Sequence, residues 1–156
     1  MTIRRALPEE AEEIVGLVAE TVRTVYPKYY PRGIVDFFVY HHRMEEVLPD
    51  IEAGIVYVSE HEGRIVGTVT VRANRMDRLF VIPEFQGMGF GKELIVFSED
   101  LVFSEYEEMI VESATSSIMM HDAHGFRTVG YGKREHEGCT LVYPVMIKLN
   151  PGLTRF

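Results

Sequence analysis

The stretch MDRLFVIPEFQGMGFGK, Met76 to Lys92, decides how the rest of this chain is read. It begins as an apolar strand through Leu79, Phe80, Val81 and Ile82, turns at Pro83, and then alternates three glycines, Gly87, Gly89 and Gly91. The residues that follow, KELIVFSEDLVF, carry a helical pattern. A strand that stops at a glycine-rich turn and feeds a helix presents several backbone N–H groups at the positive end of that helix. Such a turn is a cradle for phosphate.

Three other readings of the glycines compete. A dinucleotide fingerprint needs G-x-G-x-x-G, whereas this spacing is G-x-G-x-G and lies past the middle of the chain. A Walker A loop needs four residues between its first glycine and Gly-Lys, then Ser or Thr. Here three residues separate Gly87 from Gly91-Lys92, and Glu93 stands where the magnesium-binding hydroxyl belongs. The plainest alternative is a strand-to-helix turn whose glycines only solve a conformational problem.

The order Gln86-x-x-Gly89-x-Gly91, preceded by V-x-P-x-x-Q from Val81, resembles the acyl-CoA pyrophosphate loop of the GNAT N-acetyltransferase superfamily. A second stretch, VESATSSIMMHDAHGF from Val111 to Phe126, is similar to the family's late helix, which ends in Gly-Phe as Gly125-Phe126 does. The resemblance covers nearly the whole chain. It implies one domain over residues 1–156 with the GNAT α/β (α+β) fold. That fold has a mixed, mostly antiparallel sheet with one splayed parallel strand pair, flanked by helices.

Composition bounds the function. At 156 residues and 46% hydrophobic content, the chain suits one soluble domain with a sizeable core. A net charge of −8 argues against a nucleic-acid binder, because no basic stripe exists to neutralise phosphates. It fits a cationic amine substrate or plain solubility. Cys139 is the only cysteine, which excludes an intrachain disulfide and any paired-cysteine metal site. No metal is expected. The N-terminus is charged from Arg4 onward and no apolar run approaches a membrane span, so a cytoplasmic protein without a membrane role is expected.

Along the chain, Thr2–Arg5 reads as a first strand, followed by a helix opened by Pro8 and running to about Val25 on apolar residues at helical spacing. Pro27 and Pro31 break it, and a second helix is expected over Gly33–Val47, closed by Pro49, Asp50 and Gly54. Ile55–Ser59 and Ile65–Val71 read as a hairpin across His61-Glu62-Gly63. After the glycine turn, Leu94, Ile95, Leu101 and Val102 mark the buried face of a helix. Met109–Val111 then forms a strand, and a short helix begins at Ser116 or Ser117 and stops at Gly125. Arg127–Tyr131 and Leu141–Leu149 close the fold as two strands joined across Glu137-Gly138.

The family resemblance assigns roles to positions. Backbone groups of Leu79, Phe80 and Val81 would hold a pantetheine arm in the wedge of the splayed pair, with the Val81 N–H near the thioester carbonyl. Gln86, Gly87, Met88, Gly89, Phe90, Gly91 and Lys92 would grip the pyrophosphate of acetyl-CoA. The family's tyrosine, four residues before the late glycine, protonates the departing thiolate; His121 stands there instead. An imidazolium of pKa about 6.5 can deliver that proton; otherwise His121 is polar surface and water does so. An ammonium acceptor needs a base. Asp77, with the side parity of Leu79 and Val81, and Glu112 across the wedge are the candidates, acting directly or through water. Tyr29 and Tyr30, held between prolines, are candidates for the acceptor pocket, while Phe37 and Phe38 are explained by core packing. Of His41 and His42, adjacent on a helix, at most one would point inward.

The expected activity is transfer of an acetyl group from acetyl-CoA to a primary amine by direct attack in a ternary complex. The alternatives are a non-catalytic acyl-CoA-binding sensor or regulatory module, favoured by the missing tyrosine, and a nucleotide-phosphate binder of another fold. The resemblance also raises a homodimer formed through the late strands.

Overall fold

Hydrophobic continuity sets the centre of the molecule. In the computed structural model, which describes residues 2–153, the strand IVGTVTV at 65–71 is buried along its whole length, as a strand covered on both faces requires. It belongs to β3 (Arg64–Arg72), flanked by β2 (Val56–His61) and β4 (Arg75–Val81). Together with β1 (Thr2–Arg5), β5 (Glu108–Glu112), β6 (Arg127–His136) and β7 (Cys139–Leu149), these strands form one sheet in the order β1-β2-β3-β4-β5-β7-β6. Among the described residues all neighbouring pairs are antiparallel except β4 with β5. Both expected hairpins form, and their Glu-Gly turns at 62–63 and 137–138 have positive φ at both residues, the twist that a two-residue hairpin needs.

Among the described residues five α-helices complete the fold: α1 (Ala11–Val25), α2 (Arg32–His41), α3 (Met44–Glu52), α4 (Phe90–Phe103) and α5 (Ile118–Ala123). Successive residues of β4 point to opposite faces, which identifies the layers. Phe80 meets Tyr26 at the end of α1, while Val81 lies beside Gly91 of α4. The main core fills both interfaces, with Ile14, Val18, Leu94, Ile95, Met109 and Phe126 fully enclosed. A smaller cluster of Ile34, Phe37 and Leu141 sits between α2 and β7. No helix among the described residues is long and apolar enough to cross a membrane.

Three expectations require correction. The second helix is not continuous over Gly33–Val47: the chain leaves helical geometry at His42 (φ −114°, ψ 30°) and Arg43 (ψ 171°) and restarts as α3. Pro49 lies inside α3 instead of ending it. The missing N–H removes one helical bond, and burial of Val47 and Ile51 holds the short helix in place. Leu101 is exposed, because the buried stripe of α4 runs through Leu94, Ile95, Ser98, Glu99 and Val102. Glu99 is tolerated there through a two-oxygen ion pair with Lys148 at 2.7 and 2.8 Å.

Candidate active site

The sheet opens where β4 and β5 part. Their parallel pairing is limited to Arg75 opposite Ile110, and a wedge follows. Ile82 donates to Val66 O at 2.9 Å, so Val81, opposite Gly67, is a non-hydrogen-bonded position of the antiparallel ladder. Its N–H and C=O therefore point away from β3 and into the wedge. Gln86 occupies the carbonyl: its side-chain amide donates to Val81 O at 2.9 Å, tying the turn back to the strand. Phe80, by contrast, is paired with Thr68, so its backbone is engaged by β3 and does not face the wedge as expected.

The glycine turn sits at the mouth of this wedge. Gly87 (φ +78°) and Gly89 (φ +94°) occupy left-handed conformations that L side chains rarely adopt. The first helical bond of α4 runs from Glu93 N–H to Gly89 O at 3.1 Å, which leaves the amides of Phe90, Gly91 and Lys92 without helical partners. No side chain caps them. A Cβ built at Gly87 or Gly89 meets no atom within 4 Å, so the space in front of the turn is open. A cavity of about 450 Å³ lies there, lined by Leu79, Val81, Gln86, Gly87, Gly89 and Lys92 among others. Met88 points to solvent, and the Phe90 ring is buried against Phe85 and His61, so these two offer only backbone.

A second cavity, also about 450 Å³, adjoins the first and shares Tyr26, Leu79, Phe80 and Ser117 with it. Asp77, Glu112, His121 and both His41 and His42 line it. Both histidines reach it because α2 ends at His41 and His42 has left the helix, so the helical rule for neighbours no longer applies. His42 Nδ1 accepts from Arg78 Nε at 3.2 Å. Phe37 and Phe38 form an aromatic wall of this cavity as well as packing.

Asp77 faces this space for a different reason than its sequence parity gives. The register of β3 with β4 shifts between Thr68 and Thr70, a bulge marked by Arg78 at φ +50°. Asp77 then lies opposite Thr70 and Phe80 opposite Thr68, which puts Asp77 on the face of Phe80 and not with Val81. Burial holds its carboxyl above the ordinary range, against the pull of Arg75 and Arg72. Glu112 is committed elsewhere, with Arg75 at 3.2 Å and Arg134 at 3.5 Å.

The two tyrosines do not line this second cavity. Tyr29 borders the glycine-turn cavity. Tyr30 accepts a hydrogen bond from Thr115 N–H at 2.7 Å and packs on Tyr26 and Phe38, bracing the loop before α5.

His121 is 3% exposed, not surface. Its Nδ1 lies 3.0 Å from Ser113 Oγ, its ring packs edge-on against Phe126, and its Nε2 has no partner among the described residues. Burial, with a smaller push from His124, takes its pKa down to about 4. The side chain is therefore a neutral imidazole near pH 7, and the expected imidazolium acid is corrected. His41 and His42 are shifted the same way, chiefly by burial. A histidine whose folded pKa lies below its unfolded value stabilises the fold above the unfolded pKa and loses that contribution as pH falls toward the folded one. The melting temperature is accordingly expected to drop between pH 7 and pH 5, and less steeply in His121→Leu. A flat profile in the wild type would contradict the buried neutral state.

No group of three or more His, Cys, Asp or Glu side chains gathers to hold a metal among the described residues. Residues 25–147 match the family model for an acetyltransferase (GNAT) domain. The chain belongs to the GNAT acetyltransferase family, and is an acyltransferase by class. It is 24% identical over 153 residues to the peptidyl-lysine N-acetyltransferase YjaB of Salmonella typhimurium, covering 92% of this chain and 99% of that protein. Its fold matches a GCN5-related N-acetyltransferase from Rhodopseudomonas palustris with a TM-score of 0.89 at 16% identity, over 95% of this chain and 94% of that one. PaiA N-acetyltransferase from Thermoplasma acidophilum, solved in complex with coenzyme A, matches with a TM-score of 0.76 at 16% identity, over 95% and 98%.

Proposed function

We propose that this protein is a single-domain N-acetyltransferase that moves an acetyl group from acetyl-CoA to a primary amine by direct attack in a ternary complex. The observation that carries this is the meeting of two cavities at Leu79 and Phe80, one fronted by uncapped helix amides and the other by a carboxylate and aromatic rings. Adjoining cavities let donor and acceptor be held at once. Coenzyme A bound to PaiA, and peptidyl-lysine as the acceptor of YjaB, support the two halves of this assignment.

The diphosphate is held by the free amides of Phe90, Gly91 and Lys92 with the glycine turn. Lys92 adds a side-chain charge. The Val81 N–H, aimed into the wedge, stabilises negative charge developing on the thioester oxygen, an effect worth about 3 kcal/mol for one such donor. Asp77 takes the proton of the ammonium, since burial raises its pKa above that of an ordinary carboxylate, while Glu112 is spoken for by two arginines. A covalent route through Cys139 is disfavoured, because that thiol packs near Ile34 and Phe37 and lines neither cavity.

His121 contributes a hydrogen bond in place of a proton. The Ser113 hydroxyl has Ala114 O and Nδ1 both at 3.0 Å and one hydrogen to give; in the tautomer where it releases the Ala114 carbonyl and donates to Nδ1, Nε2 carries the hydrogen and becomes a donor for the departing sulfur. His121→Phe is expected to lower kcat about tenfold with little change in KM for acetyl-CoA, the loss of one neutral hydrogen bond. Unchanged kcat would remove His121 from the mechanism. The assignment as a whole is tested by thermal shift against CoA thioesters, followed by thiol release with a panel of amines. Stabilisation by acetyl-CoA with turnover is expected; tight CoA binding with no turnover of any amine would overturn the transfer step.

A further inference from the structure

Four arginines, Arg72, Arg75, Arg78 and Arg134, converge on the histidine-lined cavity of a chain whose net charge is −8. Their pairing is unequal. Asp50 serves two of them, Arg72 at 2.8 Å and Arg78 at 3.1 Å. Glu112 serves the other two, Arg75 at 3.2 Å and Arg134 at 3.5 Å. Each carboxylate is thus shared between two guanidinium groups. The remaining acids of the lining pair elsewhere, Glu45 and Glu46 with Arg43, and Asp77 with Arg72 at 3.9 Å.

The four arginines differ in availability, and Arg72, though half-exposed, is flanked by Asp50 and Asp77. Arg78 is 8% exposed, and its guanidinium is used up on His42, Asp50 and Thr70. Arg75 and Arg134 are each 42% exposed and touch Glu112 on one side, so most of their five N–H donors face the cavity or solvent. They arrive from different strands, β4 and β6, and converge on the end of β5. Tyr143 closes the corner by bonding Glu112 and Arg134. A planar anion is the ligand that two such forks recognise. Asp77, the proposed base, stands two residues from Arg75 on the same strand face, with Cα atoms roughly 7 Å apart.

We propose, resting on the acetyl-transfer assignment above, that the acceptor is a small amine that carries its own carboxylate, an amino-acid-like zwitterion. The Arg75–Arg134 corner holds the carboxylate and Asp77 receives the ammonium. The acceptor then supplies the negative charge that Glu112 alone does not, and its amine is turned toward the wedge. An internal lysine of a peptide has no carboxylate at this distance from its amine, which makes it the competing outcome.

The test compares free amino acids with their C-terminal amides, using the full-length protein at saturating acetyl-CoA and thiol release as the readout. The acid is expected to exceed its amide at least tenfold in kcat/KM. In Arg134→Gln and Arg75→Gln that ratio collapses toward one, with Arg134→Lys intermediate because it keeps charge and loses the fork. Equal rates for acid and amide, or a preference for a lysine-containing peptide, would overturn the carboxylate site and leave acetyl transfer standing. Calorimetric binding of the same acid and amide to the protein saturated with CoA decides the question without turnover: tighter binding of the acid supports the site, and equal binding overturns it. Failure of every amine to react, with CoA bound, would instead strike the transfer assignment.

Discussion

Gly89→Val is expected to weaken acetyl-CoA binding more than thirtyfold while leaving a folded protein. The position has φ +94°, where an L residue costs roughly 1–2 kcal/mol and a β-branched one more. That strain is relieved by rotating the turn, and the rotation re-aims the amides at the start of α4 that have no other partner. A Cβ at this site meets no protein atom within 4 Å, so the substitution does not collide with the core and the chain still folds. What the side chain does enter is the space in front of the helix, where the diphosphate is proposed to sit. Loss of a tenfold in affinity corresponds to about 1.4 kcal/mol, so misplaced amides together with the occluding methyls readily exceed it. Isothermal titration with CoA measures the effect, and wild-type affinity would dismiss the loop from the donor site. Gly91→Ala is the matched control. Its Cβ makes ordinary contacts with Met120 at 3.6 Å and Val81 at 3.9 Å, and its φ is not positive. It is expected to gain helix stability of up to about 1 kcal/mol and to lose less CoA affinity than Gly89→Val.

The donor side was legible in the sequence because it is built from one contiguous stretch. Strand, turn glycines and helix start follow one another between residues 76 and 92, and the need for glycine at a positive φ is a local property. The strands, the two hairpins and the helix stop at Gly125 were legible for the same reason. The second cavity was not, because tertiary contacts assemble it. The bulge at Arg78 reverses the parity that places Asp77, and nothing in the alternation of β4 announces it. His42 joins His41 only because the helix ends between them and Arg78 reaches across from β4. Phe37 and Phe38 read as core, and Tyr29 and Tyr30 as pocket, since hydrophobicity does not say which rings border open space. The partners of Glu112 come from residues 75 and 134, separations that no spacing rule spans. His121 was visible as a departure from the family pattern, but its neutrality depends on burial against Phe126 and Ser113.

Asp77→Asn is expected to reduce kcat/KM for the amine a hundredfold or more, within the range of roughly 10²–10⁴ that general-base catalysis supplies. The substitution keeps size and polarity but removes the basic carboxylate that accepts the ammonium proton. In the wild type the rate should rise with pH through the titration of Asp77, whose pKa burial lifts above the ordinary carboxylate value. The variant should lose that limb. The stability effect runs the other way. A carboxyl whose folded pKa exceeds its unfolded one destabilises the fold wherever it is ionised, so at pH 7 to 8 the amide is expected to match or exceed the wild type in melting temperature. Glu112→Gln gives the opposite pairing, since it strands Arg75 and Arg134 and removes no base. That variant should lose stability, and its amine turnover should fall by less than about tenfold, on the scale of one exposed ion pair. An inactive Glu112→Gln beside an active Asp77→Asn would transfer the base to the end of β5. The expected result separates the two carboxylates by what surrounds them: arginines on both sides make Glu112 a scaffold, and the desolvated face beside the bulge makes Asp77 the better proton acceptor.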